Sequence, residues 1–283
     1  MPFLETADGT RLAYTTVGEG PPLLCLPGGP GRASAYLEDL GGLSADRTLV
    51  RLDSRGTGMS EVPADPSTLR FDRLADDVEA LRGHLGLEQA DVLGHSAGSL
   101  VAQVWAARFP SRVRSLVLVT PVASLQGGTR SDTAAIRAAR SGEPWYADAA
   151  EADAALADAP PAQRQALVRA TRPFLYGRWE QRQQEHAASA DRQSNRRAED
   201  AFALGAEQVD VAGIVAGLAE LTAPVLVVGG ERDGVTGVDA VHEVAASFRA
   251  ASTEVVPGAG HFPWVDEPEA FAGVVRDFLA ARP

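Results

Sequence analysis

Not one of the 283 residues is lysine; all 26 basic side chains are arginine. A lysine Schiff base, a lysine general base and the lysine of a Walker-A phosphate loop are therefore excluded. Cysteine occurs once, as Cys25, which rules out an internal disulfide. It sits inside the apolar run Leu23-Leu24-Cys25-Leu26 and is expected to be a small buried core residue. The five histidines stand singly, with no H-x-x-x-H or C-x-x-C spacing, so neither a metal site nor a cofactor is expected. No apolar run approaches the roughly 18 residues of a membrane span. The start, Met1-Pro2-Phe3-Leu4-Glu5, has no basic or apolar signal region, and the expected location is cytoplasmic. With 38 acidic residues the formal net charge is −12, which argues against nucleic acid and against anionic membrane surfaces. The same charge suits a soluble acidic enzyme with a small-molecule or short-peptide substrate.

What is present is a rhythm. Residues 3–17 read as two short strands around an Asp8-Gly9 turn. Residues 23–26, 47–53, 90–93, 113–119 and 223–230 are apolar runs typical of buried parallel strands. Helical spacing falls between them, as in Phe71, Leu74, Val78, Leu81 and Leu85 on one face of 71–85, and again over 100–107 and 239–249. A strand at 253–256 and a closing helix from Asp266 to Leu279 follow, with Asp266 as its cap and Pro268 in its first turn. This alternation predicts an α/β fold, a mostly parallel central sheet with helices on both faces.

Over residues 122–207 the rhythm stops. The segment has no strand-like run and is broken at Gly142-Glu143-Pro144, Pro160-Pro161, Pro173 and Gly177. It reads as an inserted helical cap over the crevice at the strands' carboxyl ends, with residues 1–121 and 208–283 as the core. In a chain only 6% aromatic, this segment holds Trp145, Tyr146, Phe174, Tyr176, Trp179 and Phe202, to line a pocket or to pack cap on core.

Gly94-His95-Ser96-Ala97-Gly98 lies between the strand at 90–93 and the helix at 100–107. In that context G-x-S-x-G holds a serine at the tip of a sharp turn. The N–H of Ala97 and the helix dipole then point at any oxyanion formed there. The Gly/Pro loop Pro27-Gly28-Gly29-Pro30-Gly31 follows another strand and is expected to supply a second N–H, from Gly29. Asp233 and His261 each follow a buried strand, on the same edge of the sheet as Ser96. His261 can take the serine proton, and Asp233 can fix the imidazole tautomer. Glu231 is the rival acid. His95 is expected to point away and be structural; His84, His186 and His242 follow no strand. Asp53 and Arg55 are expected to form an ion pair bracing their turn.

Four stretches together resemble α/β-hydrolases of the prolyl (proline) iminopeptidase type. Residues 27–31 are similar to the family's HGGPG and residues 53–60 to its DQRGxGxS. Residues 76–82 resemble the helix before the serine turn, and Gly260-His261-Phe262-Pro263 the catalytic-histidine loop. The resemblance spans the core and implies a serine hydrolase with the triad Ser96, Asp233 and His261. Such enzymes remove N-terminal residues, often proline, from peptides through an acyl-enzyme. The resemblance further implies cap carboxylates that hold the substrate ammonium, here Glu180 in Tyr176-Gly177-Arg178-Trp179-Glu180, and Glu199. Trp145, Tyr176, Trp179 and Phe262 are the aromatic side chains expected to bind substrate. Pro27 replaces the family's histidine, Gly-His-Ser-Ala-Gly replaces Gly-Gly-Ser-Trp-Gly, and the cap is shorter and more polar. These departures suit esterases, thioesterases and lactonases of the same fold, which stand as the alternative, ahead of a non-catalytic ligand-binding relative.

Overall fold

The computed structural model describes residues 1–128 and 131–281. Thr129, Arg130, Arg282 and Pro283, inside the expected cap and core ranges, lie outside the described residues. Eight strands form one sheet in the order β1-β2-β4-β3-β5-β6-β7-β8. They are β1 (Phe3–Glu5), β2 (Arg11–Val17), β3 (Pro22–Leu26), β4 (Thr48–Leu52), β5 (Ala90–His95), β6 (Val113–Val119), β7 (Val225–Gly230) and β8 (Ala251–Val256). β1 and β2 pair antiparallel, as does β2 with β4; the pairs from β4 through β8 are all parallel.

Because strand side chains alternate, each apolar run feeds two cores. Leu24, Leu26, Val92, Leu116, Leu118 and Val227 face α1 (Phe71–His84), α2 (Ala97–Arg108), α8 (Val211–Ala219) and α9 (Asp239–Ala245). Leu23, Cys25, Leu93, Val117 and Val228 face the other way, toward Tyr36, Leu37, Trp264 and α11 (Pro268–Ala280). Cys25 is fully buried there. Between β6 and β7 lie α3 (Thr133–Ala138), α4 (Tyr146–Ala155), α5 (Pro161–Ala170), α6 (Gln181–Gln193) and α7 (Arg196–Ala201). No single helix among the described residues is long and apolar enough to cross a membrane.

Two expectations need correction. The helix expected over 239–249 ends at Ala245, where Ser247 and Phe248 fold into tighter turns onto Val244 O and Ala245 O. The closing helix is two pieces, α10 (Pro263–Asp266) and then α11. Proline has no N–H and forces its predecessor out of the helical region, so Glu267 sits at φ −133° and ψ 65° and takes the cap position expected of Asp266.

Parallel strands end on one edge. The carboxyl ends of β3, β5, β7 and β8 therefore deliver the Gly/Pro loop, Ser96, Asp233 and His261 to the same side of the sheet.

Candidate active site

Ser96 closes the turn from β5 to α2 at φ 51° and ψ −120°, a sparsely populated region that costs a residue with a Cβ on the order of 1–3 kcal/mol. Backbone contacts on both sides impose it. A Cβ on Gly94 would stand 2.5 Å from Gly98 O, and one on Gly98 2.5 Å from Leu26 O and Pro27 O. A Cβ on Gly28 would lie 2.8 Å from Ser96 Cβ and 3.2 Å from Ala97 N. The loop after β3 is therefore pressed against the serine turn. Ala97 is the first residue of α2, with its N–H at the positive end of the helix, and Gly29 is exposed at φ 123°.

Asp233 and His261 meet. His261 Nδ1–H donates to Asp233 Oδ2 at 2.9 Å, with both side chains at least 95% buried. Asp233 also accepts from Val235 N (2.8 Å), Thr236 N (3.2 Å) and Thr236 Oγ1 (2.6 Å). Burial pushes this carboxyl up, but the His261 ring and these donors outweigh it and hold it below the usual carboxylate range. An ionised Asp233 keeps the proton on Nδ1 and leaves the Nε2 lone pair free to act as a base. The rival, Glu231, is exposed and accepts the Gly258 N–H at 2.8 Å.

Ser96 joins this pair through its backbone and its neighbour. Its N–H donates to Val119 O at 2.9 Å and its C=O accepts Ser99 Oγ–H at 2.5 Å. The adjoining His95 is buried and donates from Nε2 to His261 O at 2.9 Å. Among the described residues, no side-chain hydrogen bond joins Ser96 to His261; the two are connected through the adjoining His95.

Two more acidic residues play other parts than expected. Asp53 and Arg55 brace their loop with different partners: Asp53 accepts from Ser34 N, Ser34 Oγ and Met59 N. Arg55 instead pairs with Asp77 at 2.7 Å and with Asp8. Asp266 is fully buried, and its Oδ2 accepts Gly177 N (2.7 Å) and Gly260 N (2.8 Å), while Oδ1 accepts Gln183 Nε2 (3.1 Å). The inserted segment is thus tied to the residue beside His261. The stretch Gly-His-Phe-Pro-Trp-Val-Asp carries no periodic signal for this, because the contact is made across 89 residues.

The expected substrate-binding side chains scatter. Tyr176 and Phe262 are 1% and 4% exposed and belong to an aromatic cluster behind His261, with ring centroids 5.1 Å apart. Trp179 packs on Tyr176 at 5.5 Å. Trp145 is half-buried against Phe174 at 5.4 Å, under the Arg140 guanidinium. Glu180 is exposed at the start of α6 and lines a surface groove of about 580 Å³ with Asp39, Arg178, Arg182 and Trp264; neither Ser96 nor His261 lines it. Glu199 is exposed on α7, whose backbone N lies 2.8 Å from where a Gly31 Cβ would be. Among the described residues, no group of three or more His, Cys, Asp or Glu side chains is placed to hold a metal ion.

Comparison with known proteins places this geometry. A proline iminopeptidase of Heyndrickxia coagulans is 32% identical over 125 residues, 43% of this chain and 43% of that protein. The chain thus matches less than half the length of this curated relative. The crystal structure of a proline iminopeptidase-related protein from Thermus thermophilus is 29% identical, covers 99% of this chain and 96% of its own, and superposes with a TM-score of 0.72. An esterase of Exiguobacterium antarcticum, 22% identical with 98% of each chain covered, shares the fold at a TM-score of 0.75. Residues 21–268 match the model of the alpha/beta hydrolase fold. The chain belongs to the alpha/beta hydrolase family.

Proposed function

We propose that the chain is a serine hydrolase working through an acyl-enzyme, with Ser96 as nucleophile, His261 as base and Asp233 as its orienting acid. The buried Asp233–His261 pair, delivered to the sheet edge that carries the strained Ser96 turn, is the observation that supports this most. Ser96 Oγ attacks a carbonyl carbon while His261 Nε2 takes its proton, a contact that closes when substrate is bound. The Ala97 and Gly29 N–H groups stabilise the oxyanion. His261 then protonates the leaving group. A water, deprotonated by the same nitrogen, releases the acid and restores Ser96. Residues 122–207 act as the cap over this site.

The substrate class we propose is a small peptide or amide with a free N-terminus, cleaved as by a proline iminopeptidase, the name borne by relatives 32–33% identical over about 44% of the chain. One observation favours a second reading, an esterase, thioesterase or lactonase. Glu180 and Glu199 are exposed, and an exposed carboxylate is a weak, screened anchor for an ammonium. Proline p-nitroanilide and p-nitrophenyl acetate separate the two. Rapid release from the anilide, lost in Ser96→Ala, supports the aminopeptidase; an inert anilide beside rapid ester turnover overturns it in favour of the esterase. No turnover of either, with no labelling of Ser96 by a fluorophosphonate, defeats the serine hydrolase reading itself.

A further inference from the structure

The serine turn carries a histidine that the reaction above does not use. His95 is 1% exposed and each ring nitrogen has a partner. Nε2 lies 2.9 Å from His261 O, and Nδ1 lies 2.7 Å from Tyr36 Oη. Tyr36 Oη in turn accepts the Gly28 N–H at 2.6 Å.

The protons in this chain have one consistent order. A carbonyl oxygen only accepts, so His95 carries a proton on Nε2. A protonated Nδ1 would make the ring a buried cation with no carboxylate against it and would leave the Tyr36 hydroxyl without an acceptor. His95 is therefore neutral, its Nδ1 lone pair accepting from Tyr36 O–H. Burial, with the charges of His261, Arg32 and His186 around it, drives its pKa well below the ordinary histidine value, in agreement. The sequence of donors runs Gly28 N–H to Tyr36 O–H to His95, and His95 N–H to the His261 carbonyl.

We propose that His95 is a positioning residue that couples the oxyanion loop to the catalytic histidine through this Gly28–Tyr36–His95–His261 chain; the proposal rests on the serine hydrolase reading. The two ends of the chain bracket the site. At one end, Gly28 packs on Ser96 and fixes the peptide from which the Gly29 N–H projects. At the other, the His261 backbone is held, so its ring turns about its own side-chain bonds with Nδ1 kept on Asp233. His95 is adjacent to Ser96 in the chain, so this link runs through the residue next to the nucleophile. Thr120 Oγ1 also donates to His261 O, at 3.1 Å, so loss of His95 loosens that end without freeing it. Catalytic groups displaced by about 1 Å lose on the order of 10²-fold in rate, which sets the scale of the effect.

The test uses p-nitrophenyl acetate and the low-field proton NMR resonance of the His261 Nδ1–H. His95→Phe is expected to lower kcat roughly 10- to 100-fold at little-changed KM, and to shift or broaden that resonance. In His95→Gln an amide N–H reaches the position of Nε2, and most of the rate and the resonance return. Tyr36→Phe removes the oxyanion-loop end alone and lowers kcat with the resonance in place. In Tyr36→Phe/His95→Phe the two effects are less than multiplicative, because they break one chain. A His95→Phe enzyme with kcat within about threefold of wild type and an unmoved resonance overturns the proposal, as do fully multiplicative losses. If His95→Phe does not fold, His95→Asn, whose amide sits near the place of Nδ1 and does not reach the His261 carbonyl, takes its place in the same comparisons with the same outcomes. Ser96→Ala keeps the two readings apart: full activity in that variant defeats the serine hydrolase reading, whatever His95 does.

Discussion

Asp233 and Asp266 are both buried aspartates within five residues of a loop glycine or histidine at the site, and their surroundings drive them in opposite directions. Asp233 faces an imidazole that becomes a cation, and is held low. Asp266 is raised by burial to about 6 despite the N–H donors of Gly177, Gly260 and Gln183 and the charge of Arg178. Their variants should differ accordingly. Asp233→Asn is expected to keep the fold, read by circular dichroism, and to lower ester hydrolysis about 10⁴-fold by leaving His261 in the wrong tautomer. Asp266→Asn keeps an oxygen for Gly177 and Gly260 and removes the buried charge. Because the folded pKa lies above the unfolded value of 3.8, what Asp266 contributes to stability is present below pH 3.8 and lost as pH rises through about 6. Asp266→Asn should therefore match or exceed wild type in urea denaturation above pH 6. Asp266→Ala, which leaves two N–H groups unpaired, should cost about 1–3 kcal/mol per group; the reverse ranking would refute the account.

At the scale of elements, the inserted segment is bonded to three loops of the site, those carrying His261, Asp233 and the Gly/Pro run. His261 N–H donates to Leu175 O (2.7 Å), Gly234 N–H to Phe174 O (3.1 Å), and Asn195 N–H to Gly31 O (2.8 Å). The segment is part of the frame that holds the loops, and a lid swinging away whole would break all three. Gly177 marks the tightest seam, since a Cβ there would fall inside the contact distance of Gly258 O. Gly177→Ala is expected to cost about 1–3 kcal/mol through forced displacement and to lower kcat as well, because the displaced loop carries His261. Gly273→Ala in α11 meets nothing within 4 Å and should add up to about 1 kcal/mol. Thermal melts and p-nitrophenyl acetate assays of the two variants check this; a harmless Gly177→Ala would show that the seam can yield.

For the whole molecule, acid should be the damaging direction. His95 lies well below the ordinary histidine value and His186 falls to about 3, chiefly through burial, with the Arg32 charge against both. Groups depressed on folding contribute stability that is full above 6.5 and is lost as pH falls toward 3. Asp266 works the other way between 3.8 and 6, so the net decline should steepen below about 4. The melting temperature is expected to drop between pH 7.5 and 4, with a shallower decline in His186→Gln. A decline in His186→Gln as steep as that of wild type would mean that His186 adds nothing to the acid sensitivity.

Local patterns were enough to read the strands, α1, α2, the serine turn and the acid–histidine pair, because each rests on periodicity, on glycine spacing or on chain order. The burial of Cys25 was legible on the same grounds. The partners of Asp53, Arg55, Asp266 and His95 were not. Most of those contacts join residues 19 to 166 positions apart, and a buried polar group takes whichever donor or acceptor packing brings to it. A cap helix and a substrate wall have the same amphipathic pattern, so the exposure of Glu180 and the burial of Tyr176 and Phe262 emerged only once the chain was packed.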